Sequence, residues 1–346
     1  MNDIRPVRLA LIGLGMATRP HLAALGLPLD GVELSGVMSR SRATADAVAG
    51  PAGLRRYDGI GEICADASID GVILATPPDQ RLDLVEALAR AGKPILMEKP
   101  VERTYAAARQ LVEICDRAGV HLGIVLQHRF RPDMQRLREL LDASVLGEIV
   151  AVRVDLPWWR DQAYYDQPGR GSHDRDGGGV LITQAIHILD LMLSLVGPAE
   201  SVQAFFATTR LHAMEAEDFV AAGIRFRSGA VGSVTATTAA FPGGAETIAI
   251  DGTLGSAKLC GGELVVTWHD GRRDTFCAPS GTGGGADPMA FPCDWHAALI
   301  TDFADAVRRG RPPRVTGRDA LHVHALIDAM TRSAREGRIV AVPPVG

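Results

Sequence analysis

Lys99 has a residue type and a setting that suit proton chemistry. It ends an apolar run at residues 94–99 that predicts a buried strand, and ligands of open parallel sheets bind beyond the carboxyl ends of the strands. Burial and a neighbouring cation lower the pKa of a lysine, so that it can polarise a carbonyl oxygen or exchange a hydroxyl proton. A solvated lysine at a strand end is the alternative.

His187 is the second candidate for proton transfer. It lies in an apolar stretch at residues 179–196, which predicts a buried helix preceded by glycines. Thr183 lies four residues earlier, on the same predicted helix face, and Asp190 follows one turn later. Because polar side chains inside a buried helix need partners, a hydrogen-bonded core histidine is the alternative to a catalytic one.

A glycine-rich turn after the first predicted strand indicates a dinucleotide phosphate site. Gly13 permits the tight turn, and Gly15 lets the backbone around Met16 and Ala17 approach a pyrophosphate at a helix start. Thr18 stands where the G-x-G-x-x-G pattern has its third glycine. A plain turn is the alternative, but the position between a strand and a helix favours nucleotide binding.

The end of the second predicted strand bears on the choice of cofactor. NAD-selective sites carry an acid there for the ribose 2′-hydroxyl, whereas this chain has none at residues 37–42. Ser39 and Arg40 could bind a 2′-phosphate instead, so NADP(H) is favoured over NAD(H). In the alternative, Arg40 and Arg42 are solvated residues at a helix start.

Hydrophobic periodicity predicts an α/β fold with two domains. In residues 1–124, near-continuous apolar runs alternate with helical patterns, which predicts a Rossmann domain with a doubly wound parallel sheet. Residues 125–346 have consecutive strands joined by short turns, which predicts an α+β domain with an open, mainly antiparallel sheet. Strands are predicted at residues 7–13, 32–38, 71–76, 94–99, 121–127, 148–156, 201–208, 218–226, 230–239, 246–251, 256–259, 263–268 and 274–277. Helices are predicted at residues 80–91, 104–118, 132–141, 179–196, 294–309 and 319–336.

Composition limits the class of protein. The 346 residues are 47% hydrophobic and 22% charged, as in soluble globular proteins. The net charge of −5 argues against nucleic-acid partners, and no apolar run suits a membrane span. Five widely spaced cysteines form no disulfide or metal-binding pattern, so no metal is predicted and a reducing, cytoplasmic location is expected.

Two motifs are more specific than the glycine loop: Glu-Lys-Pro at residues 98–100, and three glycines at 177–179 followed by His-Ile-Leu-Asp at 187–190. Together they resemble the Gfo/Idh/MocA oxidoreductase family, which includes glucose–fructose oxidoreductase and inositol dehydrogenases. The resemblance covers nearly the whole chain in order. Further matching segments lie at residues 13–15, 75–78, 91–94, 127–132, 146–149 and 252–256.

This resemblance implies hydride transfer at the nicotinamide ring, with Lys99 and His187 handling the substrate's hydroxyl proton. It also implies a homodimer or homotetramer formed through the outer face of the C-terminal sheet. The cofactor-binding residues expected in addition to the glycine loop, Ser39 and Arg40 are Thr76, Pro77, Glu98, Lys99 and Gln127.

One departure from the family's pattern concerns the chemistry. Many members have Asp four residues before the histidine, where this chain has Thr183. Thr183 can hydrogen-bond a sugar hydroxyl but cannot act as a base near neutral pH, which leaves His187 as the better proton acceptor. Asp174 or Asp176 could supply the missing charge, with solvated loop residues as the alternative.

The loop before the glycines combines aromatic and basic residues, among them Trp159, Tyr165 and Arg170. Aromatic faces stack on sugars, and arginine forks bind hydroxyls or carboxylates, so these residues and Arg129 are candidates for substrate binding together with Lys99, Thr183 and His187. Partial burial at a domain or subunit interface is the alternative.

The leading functional hypothesis is a dehydrogenase or reductase whose small-molecule substrate is a sugar, sugar acid, cyclitol or nucleotide-sugar. A second hypothesis is a lyase or glycosidase that uses bound nicotinamide for transient oxidation without net redox change. A third, suggested by Thr183 in place of Asp, is a dinucleotide-binding regulator without catalysis.

Overall fold

The computed structural model describes residues 5–278 and 292–346, which form two compact units. Within those ranges, unit 1 contains residues 5–102, 106–127 and 293–320. Unit 2 contains residues 103–105, 128–278, 292 and 321–346.

The strands in the described part of the chain are β1 (Val7–Ile12), β2 (Val32–Met38), β3 (Arg55–Tyr57), β4 (Gly71–Leu74), β5 (Ile95–Glu98), β6 (Leu122–Val125), β7 (Ile149–Pro157), β8 (Ala199–Ala207), β9 (Phe219–Phe226), β10 (Val231–Thr237), β11 (Thr247–Gly252), β12 (Gly255–Cys260), β13 (Glu263–Trp268), β14 (Arg273–Cys277) and β15 (Val340–Ala341). The helices are α1 (Arg19–Leu25), α2 (Arg42–Ala52), α3 (Ile60–Ala65), α4 (Leu82–Arg90), α5 (Tyr105–Ala118), α6 (Pro132–Asp142), α7 (Gln162–Tyr165), α8 (Ile186–Val196), α9 (Asp294–Arg309) and α10 (Gly317–Glu336). None of the helices described here has the length and apolar character to cross a membrane.

Unit 1 is built on a six-stranded parallel sheet in the order β3-β2-β1-β4-β5-β6. β4, β5 and β6 are buried along their whole length, as expected for strands covered on both faces. The strand order confirms the predicted Rossmann fold. From β1 the chain adds strands first on one side (β2, β3) and then on the other (β4, β5, β6), so the strand order switches sides between β1 and β4. Ligands of such sheets bind beyond the carboxyl ends of the strands at that point.

Helix α9 belongs to unit 1, although it follows the second sheet along the chain. It packs against α1, β1 and β6, burying Trp295, Leu299 and Phe303. Gly71 and Gly123 make room for the Phe303 ring, because a Cβ on either glycine would lie 3.3–3.4 Å from it. The predicted boundary at residues 124–125 left this helix in the second domain, since hydrophobic periodicity gives no sign that the chain returns to the first sheet.

Unit 2 contains a nine-stranded sheet in the order β14-β13-β12-β11-β7-β10-β9-β8-β15. Its pairs are antiparallel except β7 with β10, which confirms the mainly antiparallel prediction. Val152, Val154 and Leu156 of β7 are buried, and α8 packs against this strand. Phe205 and Val231 are 63% and 49% exposed. Self-association through the sheet's outer face stays a prediction.

A buried ion cluster ties the start of α6 to the residue before β11. The Arg131 guanidinium donates to Asp133 at 2.8 and 3.2 Å and to Glu246 at 2.5 Å, and all three side chains are at most 3% exposed. Burial alone would raise the pKa of Glu246, but His128 and Arg131 lower it. A buried charge is tolerated only with such partners, so each member depends on the others.

Replacing Arg131 by Met should lower the free energy of unfolding by about 3–5 kcal/mol, because two carboxylates lose their buried partner. Urea denaturation followed by circular dichroism measures the change. Arg153→Met is the matched control, since Arg153 is 59% exposed and its pair with Asp251 should contribute at most about 1 kcal/mol. Equal losses in the two variants would contradict the role given to the cluster.

Candidate active site

The unit 1 residues predicted to bind cofactor lie at one edge of the parallel sheet. Gly13 follows β1, Ser39 follows β2, Thr76 follows β4, Lys99 follows β5 and Gln127 follows β6. Because all six strands are parallel, their carboxyl ends share this edge.

Gly13 occupies a position that only glycine fits. Its φ of +89° lies in the left-handed region, and a Cβ there would lie 2.9 Å from the Ala75 backbone and 3.0 Å from the Thr76 nitrogen. Its N–H donates to the Met38 carbonyl at 2.9 Å. The turn after β1 therefore presses directly on the backbone leaving β4.

The rest of the loop is open on its outer side. A Cβ on Gly15 would meet no atom within 4 Å, and Gly15, Met16 and Ala17 are exposed. Thr18 is buried, and its hydroxyl donates to the Gly15 carbonyl at 2.5 Å. Thr18 thus closes the turn from within, in place of the third glycine. Exposed backbone N–H groups in a tight turn before a helix suit a pyrophosphate.

Two buried side-chain oxygens at the same edge of the sheet have no hydrogen-bond partner among the described residues. They are the Thr76 hydroxyl and the Gln127 side-chain oxygen. Buried polar groups without partners are rare in folded proteins, so a ligand at this edge would satisfy them. Together with the Gly13–Ala17 turn, these atoms fit a bound dinucleotide.

The end of β2 carries Ser39, which is half-buried, and Arg40, which is exposed. Ser41 caps α2 by accepting from the Thr44 N–H at 3.2 Å, so Arg42 lies in the first helical turn. The Arg42 side chain is 74% exposed, which agrees with the alternative that it is a solvated residue at a helix start.

Arg81 is a positioning residue that sequence reasoning missed. It is 1% exposed and donates to the Thr76 carbonyl at 2.7 and 3.0 Å. The same guanidinium donates to the carbonyls of Glu98 at 2.6 Å, Pro100, and Val101 at 3.2 Å. Burial lowers the pKa of Arg81 to about 10, which leaves it charged at neutral pH. One cation therefore fixes both the loop after β4 and the turn containing Lys99.

Both oxygens of the Glu98 carboxylate accept hydrogen bonds from residues of unit 1. One oxygen accepts from His21 of α1 at 2.7 Å, and the other accepts from the Lys99 N–H at 3.0 Å. His296 of α9 packs edge-on against the His21 ring with centroids 5.0 Å apart. Burial alone would raise the pKa of Glu98, but the bond and charge of His21 lower it, with smaller contributions from His296 and Lys99. Glu98 thus orients the Lys99 backbone and ties it to the helix that follows the glycine loop.

In unit 2, the glycine turn before His187 is closely packed against Glu217. Glu217 accepts from the N–H groups of Gly179 and Leu181, each at 3.1 Å, and its carbonyl accepts from Val180 at 2.9 Å. A Cβ on Gly179 would lie 1.8 Å from the Glu217 carbonyl oxygen. Burial raises the pKa of Glu217 despite these bonds.

The helix carrying His187 begins with a π turn at Leu181–Ala185 before α8. A π turn adds a residue to the helical repeat, so the predicted shared face of Thr183 and His187 does not follow from their spacing here. The Thr183 hydroxyl donates to the Gly179 carbonyl at 2.6 Å and also to the Gln184 side-chain oxygen. Such turns often occur at functional sites.

The His187 ring is 6% exposed and stacks on the ring of His128, with centroids 4.4 Å apart and an interplanar angle of 17°. His128 Nδ1 lies 3.4 Å from the Glu246 carboxylate, and so connects to the ion cluster of Arg131. His128 follows Gln127 in a motif that the sequence analysis noted, but its stacking partner is visible only in the fold.

Arg129 and Asp190 form a two-pronged ion pair at 2.6 and 2.8 Å. Asp190 is 1% exposed, and the Arg129 side chain is 16% exposed. The pair fastens α8, one turn after His187, to the segment that bears His128. The guanidinium predicted to bind substrate is thus bonded to the Asp of the His-x-x-Asp motif.

The predicted substrate loop is held by its own aromatic residues. The Tyr165 hydroxyl lies 2.6 Å from the Thr238 hydroxyl, and the Trp159 ring packs edge-on against Phe241. Burial raises the pKa of Tyr165. The Arg170 guanidinium lies 5.2 Å from the centre of the Tyr164 ring, a distance that suits a cation–π contact.

Tyr164 links this loop to the π turn, because its hydroxyl accepts from the Gln184 side chain at 3.3 Å. Asp176 is half-buried and accepts from the Gly171 N–H at 3.2 Å, whereas Asp174 is exposed. Tyr164 is one of the aromatic residues of the loop described from the sequence. Gln184 was not singled out, since an isolated polar residue in an apolar stretch carries no pattern.

Two family models match the chain. One describes an oxidoreductase family with an NAD-binding Rossmann fold and covers residues 7–125. The other describes the GFO/IDH/MocA C-terminal domain and covers residues 134–258.

Relatives match over nearly their full length. The rhizopine catabolism protein MocA of Rhizobium meliloti is 29% identical over 94% of both chains. Inositol 2-dehydrogenase of Rhizobium meliloti strain 1021 is 28% identical over 97% of this chain and 99% of its own. The WlbA dehydrogenase of Bordetella pertussis, solved with NADH and UDP-GlcNAcA, is 30% identical over 98% of this chain and 100% of its own, with a TM-score of 0.83.

Gly13→Ala and Gly15→Ala should separate folding from dinucleotide binding. Alanine at 13 collides with the Ala75 backbone in a left-handed conformation, so it should lower both the melting temperature and dinucleotide affinity. Alanine at 15 fits the folded chain but fills the space a pyrophosphate needs, so it should keep the melting temperature and lose about tenfold or more in affinity. Thermal shift and calorimetric titration measure the two effects. Unchanged affinity in Gly15→Ala would place the phosphate elsewhere.

Proposed function

The chain belongs to the GFO/IDH/MocA family of NAD-binding oxidoreductases, and from that premise we propose that it transfers a hydride between a nicotinamide dinucleotide and a CH–OH carbon of a small sugar, sugar acid, cyclitol or nucleotide-sugar. The single observation that carries the dinucleotide part is the Gly13 turn, which glycine alone can form against the backbone leaving β4. The substrate class is supported by the relatives, which include an inositol dehydrogenase and a dehydrogenase solved with a nucleotide-sugar.

The bound nicotinamide supplies a hydride acceptor or donor, and the chain's residues supply position and proton transfer. We propose that the N–H groups of Gly15 to Ala17 hold the pyrophosphate, while Arg81 holds the Thr76 and Lys99 segments in place. In this proposal His187 accepts the single hydroxyl proton of the substrate during oxidation and returns it during reduction, while Lys99 hydrogen-bonds the same oxygen and polarises it as it becomes a carbonyl. Thr183 takes a hydrogen-bonding role, because it cannot carry negative charge near neutral pH.

The burial of His187 and its neighbours support its proposed role in proton transfer. The His187 ring is stacked on His128, and histidine is a side-chain type suited to accepting a proton near neutral pH. Asp190 and Arg129 fix the helix one turn further on, so the ring has a defined direction. Trp159, Tyr165 and Arg170 lie on the loop that we propose contacts the sugar.

Lys99→Met and His187→Gln should each lower kcat by about 10²–10⁴-fold, the range for losing a general acid or base. Dinucleotide affinity should change by no more than a few-fold, because the glycine turn is untouched. Initial rates of nicotinamide reduction over a panel of polyols and sugars measure the loss.

Lys258→Met and His269→Gln serve as controls, since both side chains are exposed in unit 2. Full turnover in both Lys99→Met and His187→Gln would refute the catalytic assignment. Product formation without accumulation of reduced nicotinamide would favour a lyase or glycosidase with transient redox instead.

We further propose that NADP(H) is preferred over NAD(H). Support comes from the residues after β2, where Ser39 and exposed Arg40 stand and no acid is available for a ribose 2′-hydroxyl. An arginine fork suits a 2′-phosphate, which a carboxylate at this position would repel.

Arg40→Ala should therefore weaken NADP⁺ binding about tenfold and leave NAD⁺ binding within about twofold, as expected for losing one charge-assisted contact. Calorimetric titration of both dinucleotides measures the ratio, with Arg42→Ala as the neighbouring control. Tighter binding of NAD⁺ than of NADP⁺ by the unaltered chain would contradict the preference.

A further inference from the structure

Glu217 and Asp218, here called the acidic pair, stand immediately before β9 and bond to different parts of unit 2. Their backbone is fixed by the sheet: the Asp218 N–H donates to Ala207 at 3.1 Å, and its carbonyl accepts from the Thr238 N–H at 3.0 Å. Neither residue belongs to a motif that the sequence analysis recognised. Two adjacent carboxylates anchored on one strand start can hold two other segments in a fixed relation.

The Glu217 carboxylate serves the helix that carries His187. It accepts from the N–H of Gly179, the last of the three glycines, and from the N–H of Leu181, the first residue of the π turn. The first N–H groups of a helix have no partner inside the helix, so an outside acceptor determines where the helix begins. Gly179 cannot be larger, because the Glu217 carbonyl occupies the space of its Cβ.

The Asp218 carboxylate serves the substrate loop, defined here as residues 158–171. It lies 2.7 Å from His212 Nδ1, and the other ring nitrogen of His212 lies 2.9 Å from the Arg160 carbonyl. It also accepts from the N–H and hydroxyl of Thr209 at 2.7 and 2.6 Å. The His212 ring therefore bridges the Asp218 carboxylate and the backbone of the substrate loop.

The His212 ring also contacts the aromatic side chains of this loop. Its centroid is 4.7 Å from that of Tyr165 and 6.3 Å from that of Trp159. Asp218 is fully buried and His212 is 6% exposed, so the contact between them is sheltered from solvent. Asp218 therefore fixes the His212 ring, and the ring fixes the loop backbone at Arg160.

We propose that the acidic pair consists of positioning residues for the reaction: Glu217 sets the start of the His187 helix, and Asp218, through His212, sets the substrate loop. Neither residue touches the reacting atoms. The expected effects on catalysis rest on the proposed function, whereas the roles in fixing the helix and the loop do not. Glu217 should affect turnover, and Asp218 should affect substrate binding.

Variants of Glu217 and of His212 should change different kinetic parameters. Glu217→Gln keeps the size of the side chain but offers one acceptor oxygen for two N–H groups, so kcat should fall about tenfold with KM within about twofold. His212→Asn removes the bond to Arg160, so KM for the sugar should rise about tenfold with kcat within about threefold. General loss of stability would instead change both parameters in both variants.

Hydrogen exchange measured by mass spectrometry tests the structural part without a substrate. In Glu217→Gln, amide exchange should rise at residues 179–190 and stay unchanged at 158–171. In His212→Asn the pattern should reverse. Glu200→Gln, an exposed carboxylate on β8, is the matched control and should change neither segment. Nicotinamide dinucleotide affinity, measured by calorimetry, should be equal in all three variants.

Equal exchange in the two segments of either variant, or no change in both, would overturn the proposal. If Glu217→Gln does not fold, Glu217→Asp keeps the charge with a shorter reach and should show the same selective effect on residues 179–190. Should the unaltered protein turn over no sugar or polyol, the proposed function fails while the exchange pattern still decides the structural roles of the pair.

Discussion

The contact between the Gly13 turn and the Ala75–Thr76 backbone is the constraint on which the first unit depends. It requires a residue without a side chain, in a left-handed conformation, where the two central strands of the sheet end. Two further links continue from this contact. Arg81 connects Thr76 to the carbonyls around Lys99, and Glu98 connects Lys99 to His21 on the helix that follows the glycine loop.

These links form a closed path from the glycine turn through Arg81 and Glu98 back to α1. Arg81, Glu98 and His21 on this path are buried, so replacing one of them leaves buried polar groups without their partner. Such a path explains why a lysine at the end of β5 can have a defined position although the segment is a turn. Gly13, Thr76 and the Glu-Lys-Pro segment at residues 98–100 each fix one part of the same edge.

The second unit uses the same principle with different residues. Arg129 and Asp190 fix the helix after His187, Glu217 fixes its start, and the His128 ring covers its face. The Thr183 hydroxyl donates to the Gly179 carbonyl at the start of its own helix. The Glu246 carboxylate lies next to His128, whose ring is stacked on His187. A missing aspartate at position 183 therefore does not leave this region without carboxylates.

Much of the fold could be predicted from sequence because periodicity and short motifs are local. The apolar runs gave five of the six strands of the parallel sheet, and Lys99 and His187 stood out through their neighbours in sequence. The remaining strand, β3, was missed because Arg-Arg-Tyr at residues 55–57 is not an apolar run. Arg81, His21, His212 and Glu217 could not be found in this way, since their partners are distant in the chain and no spacing marks them. The π turn before His187 and the return of α9 to the first sheet were missed for the same reason: both depend on packing rather than on local residue pattern.

A crystal structure of the chain with bound NADP⁺ tests the central claim most directly. The account predicts pyrophosphate oxygens within hydrogen-bond distance of the backbone N–H groups of Gly15 to Ala17, and the adenosine phosphate beside Ser39 and Arg40. A dinucleotide bound elsewhere, with no phosphate at the Gly13–Ala17 turn, would contradict it.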